Sequence, residues 1–120
     1  MTVQQCYQAM GSDYEDVMSR LRTDERVKKF LLKVPGDPSY ALLCSSLEQK
    51  DIPEAFRAAH TIKGITQNLS LTKLYASSAQ LCDVLRDRQE YGEDIRPAFE
   101  AVERDYEFTL SCIQQLAESI

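Results

Sequence analysis

Apolar residues recur at steps of three and four along most of this chain, the spacing of one face of an α-helix rather than the alternation of a strand. The last segment is the most regular: Ile95, Phe99, Val102, Tyr106, Thr109, Ile113, Leu116 and Ile120 form one seam. A helix carrying it is roughly 39 Å long at about 1.5 Å per residue. Leu71, Leu74, Tyr75, Ser78, Leu81, Cys82 and Leu85 mark a second helix that stops before Tyr91-Gly92. Ala55, Ala58, Ala59, Ile62, Ile65 and Leu69 mark the apolar face of a third. Nearer the start, Tyr14, Val17, Met18 and Leu21 hold helical phase, which slips before Val27, Phe30, Leu31 and Val34 and so places a break near Thr23-Asp24.

Polar punctuation sets the boundaries. Ser12-Asp13-Tyr14-Glu15 reads as a capping box, with the Ser12 hydroxyl taking an orphan amide and Glu15 reaching back. Pro35-Gly36-Asp37-Pro38 is the strongest stop, and Asp37-Pro38 suits the start of a further helix ending near Lys50. Asp51-Ile52-Pro53-Glu54 opens the helix that runs to a break near Ser70. Short connections favour antiparallel neighbours, so the expected fold is all-α: an antiparallel up-and-down four-helix bundle with additional short N-terminal helices. One domain is expected over residues 1–120, with the bundle core about 24–119 and the N-terminal helices about 3–22.

Composition narrows the function. At 120 residues, 43% hydrophobic and 28% charged, the chain suits one modest core. A net charge of −5 argues against nucleic acid and anionic membranes as partners. The stretch from Met1 to Met10 has no apolar signal region, and no apolar run is long enough to span a bilayer, so a cytoplasmic protein is expected. Cys6, Cys44, Cys82 and Cys112 lack a CxxC pair and read as reduced, packed thiols with no metal. A Cys3His site gathered from distant helices is the competing possibility, without support from spacing.

The chemically informative stretch is Ala59-His60-Thr61-Ile62-Lys63-Gly64-Ile65-Thr66-Gln67-Asn68-Leu69. His60, Lys63, Gly64 and Gln67 stand three, four and seven residues apart, forming one stripe away from the apolar face. A histidine at the surface is a usable nucleophile near neutral pH. A lysine one turn on offsets phosphoryl charge, although screening at an exposed site limits such a pair to about 0–1 kcal/mol. Gly64 sits inside a helix at a cost of roughly 1 kcal/mol relative to alanine. Either it clears space for another protein to approach His60, or it marks close packing of a neighbouring helix. Gln67 is available to hydrogen-bond that partner or phosphoryl oxygens.

Ala-His-Thr-Ile-Lys-Gly followed by Asn68-Leu69 resembles the motif of histidine-containing phosphotransfer (HPt) domains, which read His-x-x-Lys-Gly with a closing Leu-Gly on an antiparallel four-helix bundle. The resemblance implies that His60 is the phosphoacceptor, that Lys63 positions the phosphoryl group, and that Gly64 gives a receiver domain clearance; Gln67 and Thr61 beside them are expected partner contacts. Two positions depart from the pattern. Ser70 replaces the expected glycine and is expected to cap the next helix. Cys82 stands where the family often has Glu or Gln near the histidine, leaving orientation of the imidazole to water, Gln67 or Arg86. N-terminal helices of the family commonly add apolar contacts near the histidine, which makes Val3, Tyr7, Tyr14 and Met18 docking candidates.

The expected function is thus a phosphocarrier, not an enzyme, exchanging a phosphoryl group between His60 and the aspartate of a response-regulator receiver domain. A hybrid histidine kinase is a further partner. No cofactor is expected on the chain itself, Mg²⁺ being supplied by the receiver, and the chain is expected to act as a monomer. It has no GxxxxGK loop for nucleotide phosphates. The rival reading is a phosphate-independent helical adaptor that keeps the same fold.

Overall fold

The computed structural model describes residues 1–119, so the expected place of Ile120 at the end of the apolar seam lies outside the described residues. The described chain is helical: α1 (Val3–Met10), α2 (Tyr14–Leu21), α3 (Asp24–Leu31), a 3-10 turn (Val34–Gly36), α4 (Ser39–Glu48), α5 (Ile52–Asn68), α6 (Thr72–Leu85) and α7 (Ile95–Glu118). No strand occurs among the described residues. Helices α4 to α7 form the antiparallel four-helix bundle, with α5 between α4 and α6, and α6 against α7.

Most helix starts follow from a side chain that satisfies an orphan amide. Thr2 and Gln5 make a reciprocal capping box for α1, with Gln5 N–H donating to Thr2 Oγ1 at 3.1 Å and Thr2 N–H to Gln5 Oε1 at 2.8 Å. That helix, whose Val3, Cys6, Tyr7 and Met10 repeat at steps of three and four, ends at Gly11, whose φ of 64° is the left-handed turn that glycine adopts without penalty. The capping box expected at Ser12 is displaced by one residue. Asp13 accepts the N–H of Asp16 at 3.0 Å, because Ser12 is still tied to the end of α1 through its own N–H to the Tyr7 carbonyl. Thr23 caps α3 and Asp51 caps α5, where the pattern places them.

Two cores share the length of α7. The first joins α4, α5, α6 and the first half of α7, through Leu43, Ile52, Ala58, Ile62, Leu74, Leu81, Leu85, Ile95 and Val102. Alanines at positions 55, 58 and 59 keep α5 slim enough for both neighbours to approach closely. Between α4 and α7 the space is filled by stacked rings, Tyr40 on Tyr106, with centroids 3.9 Å apart and planes 11° from parallel. A fully buried leucine such as Leu74 or Leu81 contributes about 1.5–3 kcal/mol through removal from water.

The second core gathers Val3, Cys6, Tyr7, Met10, Val17, Val27, Leu31, Leu69, Leu71, Ile113 and Leu116. Helix α3, whose periodicity assigns it to the bundle, packs here instead, with Val27 and Leu31 turned toward α1. The N-terminal helices thereby cover the far half of α7 and the end of α5.

That end of α5 is held unusually firmly. The last carbonyls of a helix lack intrahelical donors, and α1 and α2 supply them. Tyr7 Oη donates to the Leu69 carbonyl at 2.7 Å, and Arg20 Nη2 donates to the carbonyls of Gln67 at 3.1 Å and Asn68 at 3.0 Å. The same guanidinium donates to Ser70 Oγ, which in turn donates to Asp16 Oδ2 at 2.6 Å. Ser70 therefore does not cap α6 as its type suggests. Its φ of 55° makes the left-handed turn that a glycine would make, while its hydroxyl joins α2 to the loop. Helix α6 starts at Thr72, after Leu71, whose apolar side chain provides no cap.

Candidate functional site

Helix α5 carries the site because its two faces are chemically distinct. Ala55, Ala58, Ala59, Ile62 and Thr66 are buried, whereas His60, Thr61, Gly64 and Gln67 are exposed and Lys63 is half-buried. Ile65, assigned to the apolar face by its spacing, lies at the border and is half-buried. The stripe of imidazole, ammonium, bare backbone and amide is thus assembled on one accessible side of the bundle.

Gly64 faces open space. A Cβ built on it meets no heavy atom within 4 Å, so no helix of the bundle packs against this position and the close-packing explanation of the glycine fails. Thr61 turns its hydroxyl back onto its own helix, donating to the Arg57 carbonyl at 3.0 Å. Among the described residues the imidazole of His60 has no hydrogen-bond partner, neither Gln67 nor any group of α6.

Cys82 does not serve the imidazole. It is fully buried in the first core, and burial pushes its thiol up while the neighbouring cations of Lys63 and Arg86 pull the other way. A thiol is an acceptable core group where a Glu or Gln would need a partner. Arg86 remains at the surface at the end of α6, with Nη1 3.0 Å from Asp83 Oδ1.

Phe56 belongs to the site although its sequence signal is only its position four residues before His60. Its ring centroid lies 6.1 Å from that of the imidazole, and Arg86 Cζ lies 5.8 Å from the same ring. The phenyl ring is half-buried against the first core.

Past Gly64 and Gln67, a groove of about 180 Å³ opens between α5 and α3, lined by Phe30, Lys33, Val34, Ile65, Asn68 and Leu69. Phe30 is 38% exposed there. The apolar surface flanking the stripe thus comes from Phe30 of α3, Val34 of the 3-10 turn, and Ile65 and Leu69 at the end of α5. Of the docking candidates on the first two helices, Val3 and Tyr7 are buried in the second core. Tyr14 and Met18 are half-buried against it, and Tyr14 Oη donates to Asp24 Oδ1 at 2.6 Å.

The cysteines do not converge: Cys6 and Cys112 lie in the second core, Cys82 in the first, and Cys44 is half-buried on α4. Among the described residues no group of three or more His, Cys, Asp or Glu side chains could hold a metal ion, and no helix is long and apolar enough to cross a membrane.

A helical bundle presenting a surface histidine beside a lysine and an open glycine defines the class of histidine phosphotransfer modules. The Hpt domain family model matches residues 36–119, from the turn before α4 through the described end of α7, and the chain belongs to that family. Neither a curated protein nor a solved structure matches the chain. Hpt domains are phosphocarriers of two-component systems that work with receiver and kinase partners.

Proposed function

We propose that this chain is a cytoplasmic, monomeric phosphorelay carrier in which His60 takes a phosphoryl group from the aspartyl phosphate of a response-regulator receiver domain and returns it to such a domain. A hybrid histidine kinase is the source of the phosphate in the relay. The observation that carries this reading is the exposed imidazole with unobstructed backbone one turn away, where a second protein can close over the nucleophile.

In the transfer, a ring nitrogen of His60 attacks phosphorus in line. The N–P bond forms as the P–O bond to the aspartyl carboxylate breaks, and the carboxylate leaves with the electron pair. Lys63 approaches the phosphoryl oxygens from the next turn, Gln67 and Thr61 border the contact, and Gly64 admits the partner's loops. The receiver brings the Mg²⁺ that neutralises developing charge, while this chain contributes the nucleophile and its flanking cations. The groove at Phe30 and Ile65 offers apolar contact area to the docked receiver.

Incubation with a phosphorylated receiver domain and Mg²⁺ tests the proposal. The wild type is expected to gain acid-labile phosphate, and His60→Gln to gain none. Equal labelling of both proteins refutes it and leaves an adaptor that binds through its helix faces without phosphate.

A further inference from the structure

In-line attack requires the ring nitrogen to be fixed in direction as well as exposed. Among the described residues no side chain hydrogen-bonds His60, so what the protein itself offers to direct the ring is packing against its neighbours. A long side chain on a helix leans back over the turn that precedes it. Four residues before His60 that turn presents Phe56, and the two ring centroids are 6.1 Å apart with planes at 38°. This distance falls inside the range of interacting aromatic pairs, about 4.5–7 Å.

Phe56 is itself fixed on two sides. Its inner edge packs on the first core, and its face receives the Arg86 guanidinium, Cζ 5.8 Å from the centroid. A guanidinium over an aromatic face at this separation is a cation–π contact. The Asp83 carboxylate holds Arg86 from the other side at 3.0 Å, an exposed pair whose small net energy allows its arginine to turn toward a stronger anion. One phenyl ring therefore connects the nucleophile of α5 to a cation of α6 that the primary structure places 26 residues away.

We propose that Phe56 is a positioning residue for phosphoryl transfer: its ring sets the direction of the His60 imidazole and keeps the Arg86 guanidinium beside the position where phosphoryl charge accumulates. This inference rests on the reading of His60 as phosphoacceptor. It places cations on two sides of the phosphorylated ring, Lys63 from the following turn and Arg86 across Phe56. An aliphatic side chain at position 56 would fill the core contact but offer neither ring edge nor π face.

The test compares Phe56→Leu, Phe56→Tyr and Arg86→Met in transfer from a phosphorylated receiver domain with Mg²⁺, at varied receiver concentration. Phe56→Leu is expected to lower the maximal transfer rate roughly three- to tenfold without changing the half-saturating receiver concentration. Phe56→Tyr, which keeps the ring, should restore the rate to within about twofold. Arg86→Met lies at the surface and leaves folding intact, so it tests the cation even if Phe56→Leu is unstable, and a lowered maximal rate is expected.

A labelled wild type with an undiminished rate in both Phe56→Leu and Arg86→Met overturns the inference. So does a loss confined to half-saturation, which would make Phe56 a docking contact only. Absence of label on the wild type overturns the phosphoacceptor reading and this one with it.

Discussion

Replacing Gly64 separates what the fold needs from what the partner needs. Glycine in a helix interior is less favourable than alanine by about 0.8–1.0 kcal/mol, chiefly because its unfolded backbone has more freedom to lose. Whether a substitution recovers that energy depends on the space around the new side chain. At Gly64 a Cβ meets nothing within 4 Å, so no steric term offsets the gain. Gly64→Ala should therefore stabilise the protein by about 1 kcal/mol, which for a domain of this size raises the midpoint of thermal unfolding by roughly 3–5 °C. Gly64→Gln should be stabilised by slightly less, since glutamine ranks just below alanine in helix propensity.

Transfer from a receiver domain should move in the opposite direction. The glutamine side chain occupies the clearance beside His60 and should slow transfer on the order of tenfold or more, while the single methyl of alanine costs less. Urea unfolding of the three proteins with the transfer assay run in parallel decides the matter. A destabilised Gly64→Ala would show that the position is packed in solution. A Gly64→Gln protein transferring at the wild-type rate would remove the clearance role.

Ser70 turns the chain with φ of 55°, so Ser70→Val, which places a β-branched side chain at positive φ, should destabilise by about 1–2 kcal/mol relative to Ser70→Gly in urea titrations, the two variants having lost the same hydroxyl contacts to Asp16 and Arg20. The Ser70 hydroxyl first, and then the Arg20 guanidinium, hold the Asp16 carboxyl below its ordinary value of 3.8. The folded state thus favours the ionised form, and the resulting stability is present above the unfolded value and is lost as pH falls from about 3.8 through the lower folded value. Asp16→Asn should flatten that part of the acid limb, and an unchanged limb would show that the pair does not persist in solution. Burial raises the Cys6 thiol to about 11 and also raises Cys44, Cys82 and Cys112, but Cys44 alone is only half-buried and so within reach of a reagent. Brief treatment with iodoacetamide at pH 7.5 should therefore alkylate Cys44 ahead of the others by mass spectrometry, and all four equally once the chain is unfolded.

Periodicity and punctuation alone determined the helices from α2 onward, the break at Thr23, the stop at Pro35 and the accessible stripe on α5. Each of these is local: a helical face repeats every three to four residues, and a cap reaches three residues along. They were legible before any packing was known. Tertiary structure decided what depends on the rotation of one helix against another. Helix α1 has a reciprocal cap and a short apolar face, but which surface takes that face is decided by packing, which buries Val3, Cys6, Tyr7 and Met10 against α7. Ser70 looks like a helix cap in isolation, but Arg20 and Asp16 arrive from some 50 residues away and claim its hydroxyl. Cys82 lies on the buried face of α6 with Ser78 and Leu85, as its spacing places it, but only the packing of α5 against α6 shows that its thiol is enclosed in the core and does not reach the imidazole. Phe56 and Arg86 meet only once α5 and α6 are packed, since no spacing within a single helix brings an aromatic ring under a guanidinium from its neighbour.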